Sequence, residues 1–244
     1  MINIELLPIQ IQNFLSHIRK ELDEFDIELV MGGYGEIKTN DKTYCNGYFD
    51  EDGRELVFWV DQYNMDWVAT AVHEYGHFLQ FKNKKDMWDR LLVGNQQDEW
   101  LAGQYFPQEK ADKFGNDCAE IEHDNEKQVI DLVKKFGLEE FVDIETYTQK
   151  ANAYVIFYQI INKYRRFYPL GGEPHKSTLV YRSMPTTFDY DPRNPPAECV
   201  HILDQYYRIV HGFRRESEFL SKMLYLLKKK YISLFAKVFA QICR

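Results

Sequence analysis

The chain is short of the residues on which several functions would depend. Its 244 residues include four cysteines, Cys45, Cys118, Cys199 and Cys243, and no two of them form a CxxC pair. That spacing supports neither a disulfide scaffold nor a thiolate metal site. No stretch approaches the roughly 18 uncharged apolar residues of a membrane-spanning helix. The opening MINIELLPIQIQNFL also lacks the basic start and clean apolar core of a secretory signal. The expectation is a reduced, soluble, cytoplasmic protein with no transmembrane segment. Basic charge is scarce as well, with 30 Lys and Arg against 38 Asp and Glu, a net charge of −8. The deficit is uneven: residues 214–244 carry eight Lys or Arg against two Glu, while the rest carries 22 against 36. An acidic body argues against broad nucleic-acid binding, which needs a basic surface for phosphate. Histidine is rare too, with seven in the whole chain.

Aromatic residues are abundant, at 17 Tyr, 17 Phe and 4 Trp, a load that disordered chains do not carry. Ile11, Phe14, Leu15, Ile18 and Leu22 recur at intervals of three and four, which predicts an amphipathic helix over 8–25. A strand is expected at Ile27–Met31, followed by the break Gly32-Gly33-Tyr34-Gly35, which matches no phosphate-binding pattern. Lys42–Phe49 and Glu55–Asp61 flank the turn-forming DEDG at 50–53 and predict a hairpin. The period then changes to 3.6: Val68, Ala71, Val72, Tyr75 and Leu79 predict a helix ending near Phe81, with Asn64 or Asp66 able to cap it. Helices are also expected at Asp86–Ala102, over 116–136 with Gly137 at its end, at Tyr147–Phe167, and over 199–211. Residues 168–198 are rich in proline and read as a long irregular loop, either a surface excursion or the rim of a cleft.

The fold class expected is α+β: a small N-terminal sheet with an edge strand beside a central helix, then a mainly helical C-terminal part. The domain division expected is one unit over 1–213, with residues 214–244 forming a basic amphipathic helix packed on it. That last helix, with its Lys228-Lys229-Lys230 run, also offers a surface for an acidic partner or an anionic membrane.

The strongest chemical signal is His73-Glu74-Tyr75-Gly76-His77. A spacing of four on a helix puts both imidazoles on one side, one turn apart, where each can give a nitrogen to one metal ion. Glu74 sits beside them as a general base for a water at that metal. Two histidines leave a third protein ligand to be found. On the 116–136 helix, Cys118, Ile121, Val129, Leu132, Val133 and Phe136 form the apolar stripe, and Glu122 and Asn125 interrupt it. A carboxylate on a buried face is costly unless paired or bound to a metal. Glu122 is therefore the preferred third ligand, with His123, Glu99 and Glu126 as alternatives. Glu126, one turn on, is placed to accept the second ring N–H of a ligand histidine. Tyr158, Tyr181, Tyr190, His201 and His211 are available as oxyanion donors, and the sequence does not rank them.

At His73–His77 and Glu122 the chain resembles the zincin metallopeptidases, most closely the thermolysin-like gluzincin branch. The phrase EHDNE followed by KANAYVIFY is also similar to uncharacterised HExxH proteins of phages and bacteria. The resemblance implies Zn2+ held by His73, His77 and Glu122, with Glu74 as the catalytic base and Glu126 orienting a ligand histidine. It also implies a zincin-like fold and an endopeptidase acting on protein or peptide, with Glu55–Asp61 in the place of the substrate-holding edge strand. The match covers about 75 residues. The flanking NExxSD pattern is absent, Glu126 stands where many relatives carry aspartate, and no histidine extension follows His77 to indicate the astacin and matrix-metalloprotease branch. Two alternatives remain open: a zincin-like module that binds or regulates without catalysis, and a zinc hydrolase of non-peptide amides.

Overall fold

The computed structural model describes residues 3–32, 37–38, 44–61, 63–92, 105–168 and 172–212. The first helix, α1 (Ile9–Asp23), buries Ile11, Phe14, Leu15, Ile18 and Leu22 along one stripe, as their spacing predicts. It leads into β1 (Glu28–Gly32), then the short antiparallel pair β2 (Ile37–Lys38) and β3 (Tyr44–Cys45). The hairpin follows as β4 (Gly47–Asp50) and β5 (Glu55–Trp59). Its turn is held by Asp50, whose Oδ1 accepts the N–H groups of Asp52 at 3.0 Å and Gly53 at 2.9 Å. Arg54 closes it at φ 53°.

The three-stranded sheet has the order β1-β5-β4, with β1 parallel and β4 antiparallel to β5. Glu55–Trp59 is therefore the middle strand, and the edge position expected for it belongs to Gly47–Asp50. The reason lies in its side chains: Leu56, Val57 and Phe58 are buried in succession, the pattern of a strand covered on both faces. Among the described residues no strand pairs with the outer side of β4.

Next comes α2 (Trp67–Asn83), which carries the His-Glu-x-x-His segment and buries Trp67, Val68, Ala71, Val72, Tyr75 and Phe78. Asp66 stands at its start, although its side chain makes no capping bond. A short α3 (Lys85–Leu92) follows; the remainder of the expected Asp86–Ala102 helix lies outside the described residues. The long α4 (Gln108–Phe136) starts a full two turns before the expected 116. Pro107 stands at its N-cap, where proline's missing N–H costs nothing. Gly137 ends it at φ 63°, with Leu138 N–H returning to Val133 O at 2.9 Å. Then α5 (Ile144–Tyr164) is capped by Asp143, whose side chain accepts Thr146 N–H at 2.8 Å.

The proline-rich stretch holds a 3-10 turn at Pro174–Lys176 and the single-turn helix α6 (Thr178–Tyr181), followed by α7 over 197–212. It is fastened to α5 by carboxamides. Asn152 donates to Pro185 O at 2.8 Å and Thr187 O at 2.9 Å, and Tyr190 OH donates back to Asn152 Oδ1 at 2.6 Å. Proline leaves those carbonyls without ladder partners, and side chains supply them.

Two apolar clusters form. One joins α1, β5, α2 and the Val129, Leu132 and Val133 end of α4. The other joins Ala111, Cys118 and Ala119 of α4 to α5, Val180, Met184 and α7. The architecture is α+β, with a small mixed sheet ahead of a mainly helical region. No helix among the described residues is long and apolar enough to cross a membrane. The expected basic helix at 214–244 lies outside the described residues.

Candidate metal centre

The two clusters leave the middle of α4 between them, and there α4 crosses α2. His73, Glu74 and His77 form a cluster of metal-ligating type, with Glu74 and His77 buried and His73 half-buried. Their Nε2 atoms face each other at 3.1 Å. Glu122 Oε2 approaches both, 3.7 Å from His73 Nε2 and 3.6 Å from His77 Nε2. This buried oxygen makes no hydrogen bond.

The crossing is close because Gly76 permits it. A Cβ built there would lie 2.0 Å from Asn125 Oδ1. Asn125 is fully buried and donates from Nδ2 to His73 O at 3.1 Å, while Gln128 donates to Gly76 O at 2.9 Å. On the sheet side Gly47 does the same, since its Cβ would sit 3.0 Å from Glu74 Cγ and 2.8 Å from Thr70 Cγ2. Glu74 thus lies against the first residue of the edge strand.

Each imidazole has a second partner on its Nδ1 side. Glu126 Oε1 lies 3.2 Å from His73 Nδ1, and its other oxygen accepts a hydrogen bond from Tyr147 OH. His77 Nδ1 lies 3.0 Å from Gln80 Oε1. Trp88 packs near the His77 ring, with centroids 5.8 Å apart.

Burial and charge compete in this cluster. Burial pulls the His73 pKa down, but the carboxylates of Glu126, Glu74 and Glu122 outweigh it and raise it to about 10. Burial raises Glu74, against the pull of the two imidazoles. Glu122 is lowered: burial would raise it, but the two imidazoles beside it prevail. Three carboxylates around two imidazoles make a cluster whose composition could hold a cation.

No family model, curated protein or solved structure matches this chain. The site's own atoms form a buried cluster consistent with the HExxH zincin type and with no particular branch.

The other expected residues lie elsewhere. His123 turns towards the proline-rich stretch, its ring 5.5 Å from that of Phe188 and 4.7 Å from that of Tyr190, and burial lowers its pKa to about 4. Glu99 is outside the described residues. Of the oxyanion candidates, His201 is exposed and paired with Gln205 at 2.9 Å. Tyr190 is committed to Asn152, Tyr181 lies under the Lys150 ammonium at 5.4 Å, and His211 packs on Tyr207. Tyr158 is buried with its hydroxyl 3.1 Å from that of Tyr154. Burial first, then Tyr154 and Glu122, raise its pKa well above the ordinary range.

Sequence reasoning missed Gln80, Tyr147 and the glycines at 47 and 76. A glutamine inside a helix and a tyrosine among seventeen carry no local signal. Asn125 did carry one, as the second polar interruption of an apolar stripe.

Proposed function

We propose that this chain is a zinc-dependent peptidase, in which His73, His77 and Glu122 hold the metal and Glu74 is the catalytic base. One observation carries the reading. The two imidazole Nε2 atoms and Glu122 Oε2 converge at 3.1, 3.6 and 3.7 Å, and that carboxylate oxygen is buried without a hydrogen bond. Ligand atoms about 2.0–2.1 Å from a tetrahedral zinc stand about 3.3–3.4 Å apart, so the triangle has the right size. Glu126 is the alternative third ligand by proximity, but its oxygens are engaged by His73 Nδ1 and Tyr147. Those contacts suit it to orienting His73.

Bound zinc would supply Lewis acidity and lower the pKa of a coordinated water. The chain's own residues do the rest. Glu74, raised by burial, takes the proton from the attacking water and returns one to the leaving amine. With its Nε2 proton displaced, His73 would offer that lone pair while its Nδ1–H donates to Glu126. Glu74 stands against Gly47 at the start of β4, whose outer side has no strand partner among the described residues. An extended peptide added there would pass the base, which favours peptide bonds over other amides. Such a layout is in keeping with the thermolysin-like branch.

Metal analysis of the purified chain should find about one zinc per molecule, and His73→Ala should abolish it. Glu74→Gln should keep the metal and lose hydrolysis in proteome-wide cleavage profiling. Full activity of that variant would overturn the base assignment. Zinc retained with no cleavage by the wild type would point to a non-catalytic binding module instead.

A further inference from the structure

The two histidines of the centre are held differently, and the difference lies in Gln80. This glutamine is fully buried on α2, one turn beyond His77. Its Nε2 donates to Ile121 O at 2.9 Å and to Asp124 Oδ2 at 2.8 Å, both on α4. Its Oε1 faces His77 Nδ1 at 3.0 Å. Asp124 is fixed in turn by Lys84, whose Nζ reaches its two oxygens at 2.6 and 2.7 Å.

The orientation of the amide follows from these partners. Reversed, Gln80 would point its oxygen at a carbonyl and a carboxylate, two acceptors with no proton between them, in a buried place. With its nitrogen held by both acceptors, Gln80 can only accept from the imidazole. His77 must then carry a proton on Nδ1, so that in its neutral form Nε2 is the bare nitrogen, turned towards His73 and Glu122.

We propose that Gln80 is a positioning residue: held by Asp124 and Ile121, it locks His77 in the Nδ1–H tautomer and so prepares its Nε2 as a metal ligand. The proposal rests on the zinc reading for its purpose but not for its geometry. His73 has an anionic partner in Glu126, which increases its basicity as a ligand. His77 has a neutral one that fixes direction without adding charge. Glu126 belongs to α4, and Gln80, on α2 itself, is held from α4 through Ile121 and Asp124, so α4 bears on the aim of both imidazoles.

The test reads the tautomer directly. Two-bond 1H–15N NMR correlations on the metal-free full-length chain should show His77 protonated on Nδ1 in the wild type. Gln80→Met, similar in length and without the carbonyl, should give mixed tautomers. Zinc affinity by chelator competition should fall roughly 10- to 100-fold in that variant. A wild-type His77 protonated on Nε2 would overturn the proposal, as would unchanged tautomer and affinity in a folded Gln80→Met. If the variant fails to fold, the wild-type spectrum still decides. A wild type with the Nδ1–H tautomer and no affinity for zinc would remove the metal reading and leave the role of Gln80 standing.

Discussion

Gly76 occupies a position in the HEYGH segment where any larger residue would meet α4. A methyl group there would lie 2.0 Å from Asn125 Oδ1, and Asn125, fully buried, has no solvent to move into. Gly76→Ala should therefore cost about 1–3 kcal/mol, the usual penalty for overpacking a close contact. Helix propensity alone would favour alanine by about 1 kcal/mol, so the sign of the change identifies the contact. Adding Asn125→Ala removes the clash along with the bond to His73 O. Denaturant melts of the two single variants and the double should show the double less unstable than the sum. At this scale the candidate site residues were legible and their supports were not. His73, Glu74 and His77 declare themselves by spacing, and Glu122 by interrupting a stripe. Gln80 and Tyr147 act through partners 41 and 21 residues away, and no window of sequence holds both ends.

The elements followed their periodicity closely, and the differences have local causes. The α1 stripe, the DEDG turn and the Gly137 cap stand as expected, because each depends on neighbours within a few residues. Strand order did not, since it depends on which faces are covered. The described part of the proline-rich stretch is fastened to α5, where Asn152, Gln149 and Gln159 hold its carbonyls. His175 lies in this strap, near Tyr154 and Tyr168 with ring centroids 6.0 Å from each. Its Nδ1 is buried and makes no hydrogen bond. Burial first, then Lys176, hold its pKa down to about 4, against the opposing pull of Glu173 and Glu126. The unfolded chain, with an ordinary value of 6.5, binds this proton more readily. The contribution of His175 to stability is thus complete above pH 6.5 and is lost as pH falls towards 4. His175→Phe keeps an aromatic ring without the titrating group. Its melting temperature should fall less than that of the wild type between pH 7 and 5, as calorimetry would record.

Taken as a whole, the molecule has two apolar clusters sharing one helix. At 29 residues, α4 is a rod of about 44 Å. Ala111, Cys118 and Ala119 serve one cluster and Val129, Leu132 and Val133 the other, while Glu122, Asn125 and Glu126 occupy the span between. Tryptophan and cysteine divide the same way: Trp67 is buried in the first cluster, and Cys118 and Cys199 in the second. With Cys45 and Cys243 changed to Ser and Trp100 to Phe, tryptophan emission and thiol labelling follow the clusters separately. In zinc the two denaturation midpoints should coincide, and in chelator they should part. Coincident midpoints without metal would mean that α4 alone couples the clusters.

That middle span has a consequence for how the protein could change over time. Side chains able to grip an ion cannot also be greasy, and on the zinc reading the stretch of α4 best placed to weld the two clusters together is polar by necessity. Cohesion there would be borrowed from the proposed ion, and a lineage that lost it would have to replace Glu122 and its neighbours with apolar residues to keep the clusters together. Chains descended from this one that no longer perform its chemistry should show their first repairs between residues 122 and 126, before the histidines themselves decay.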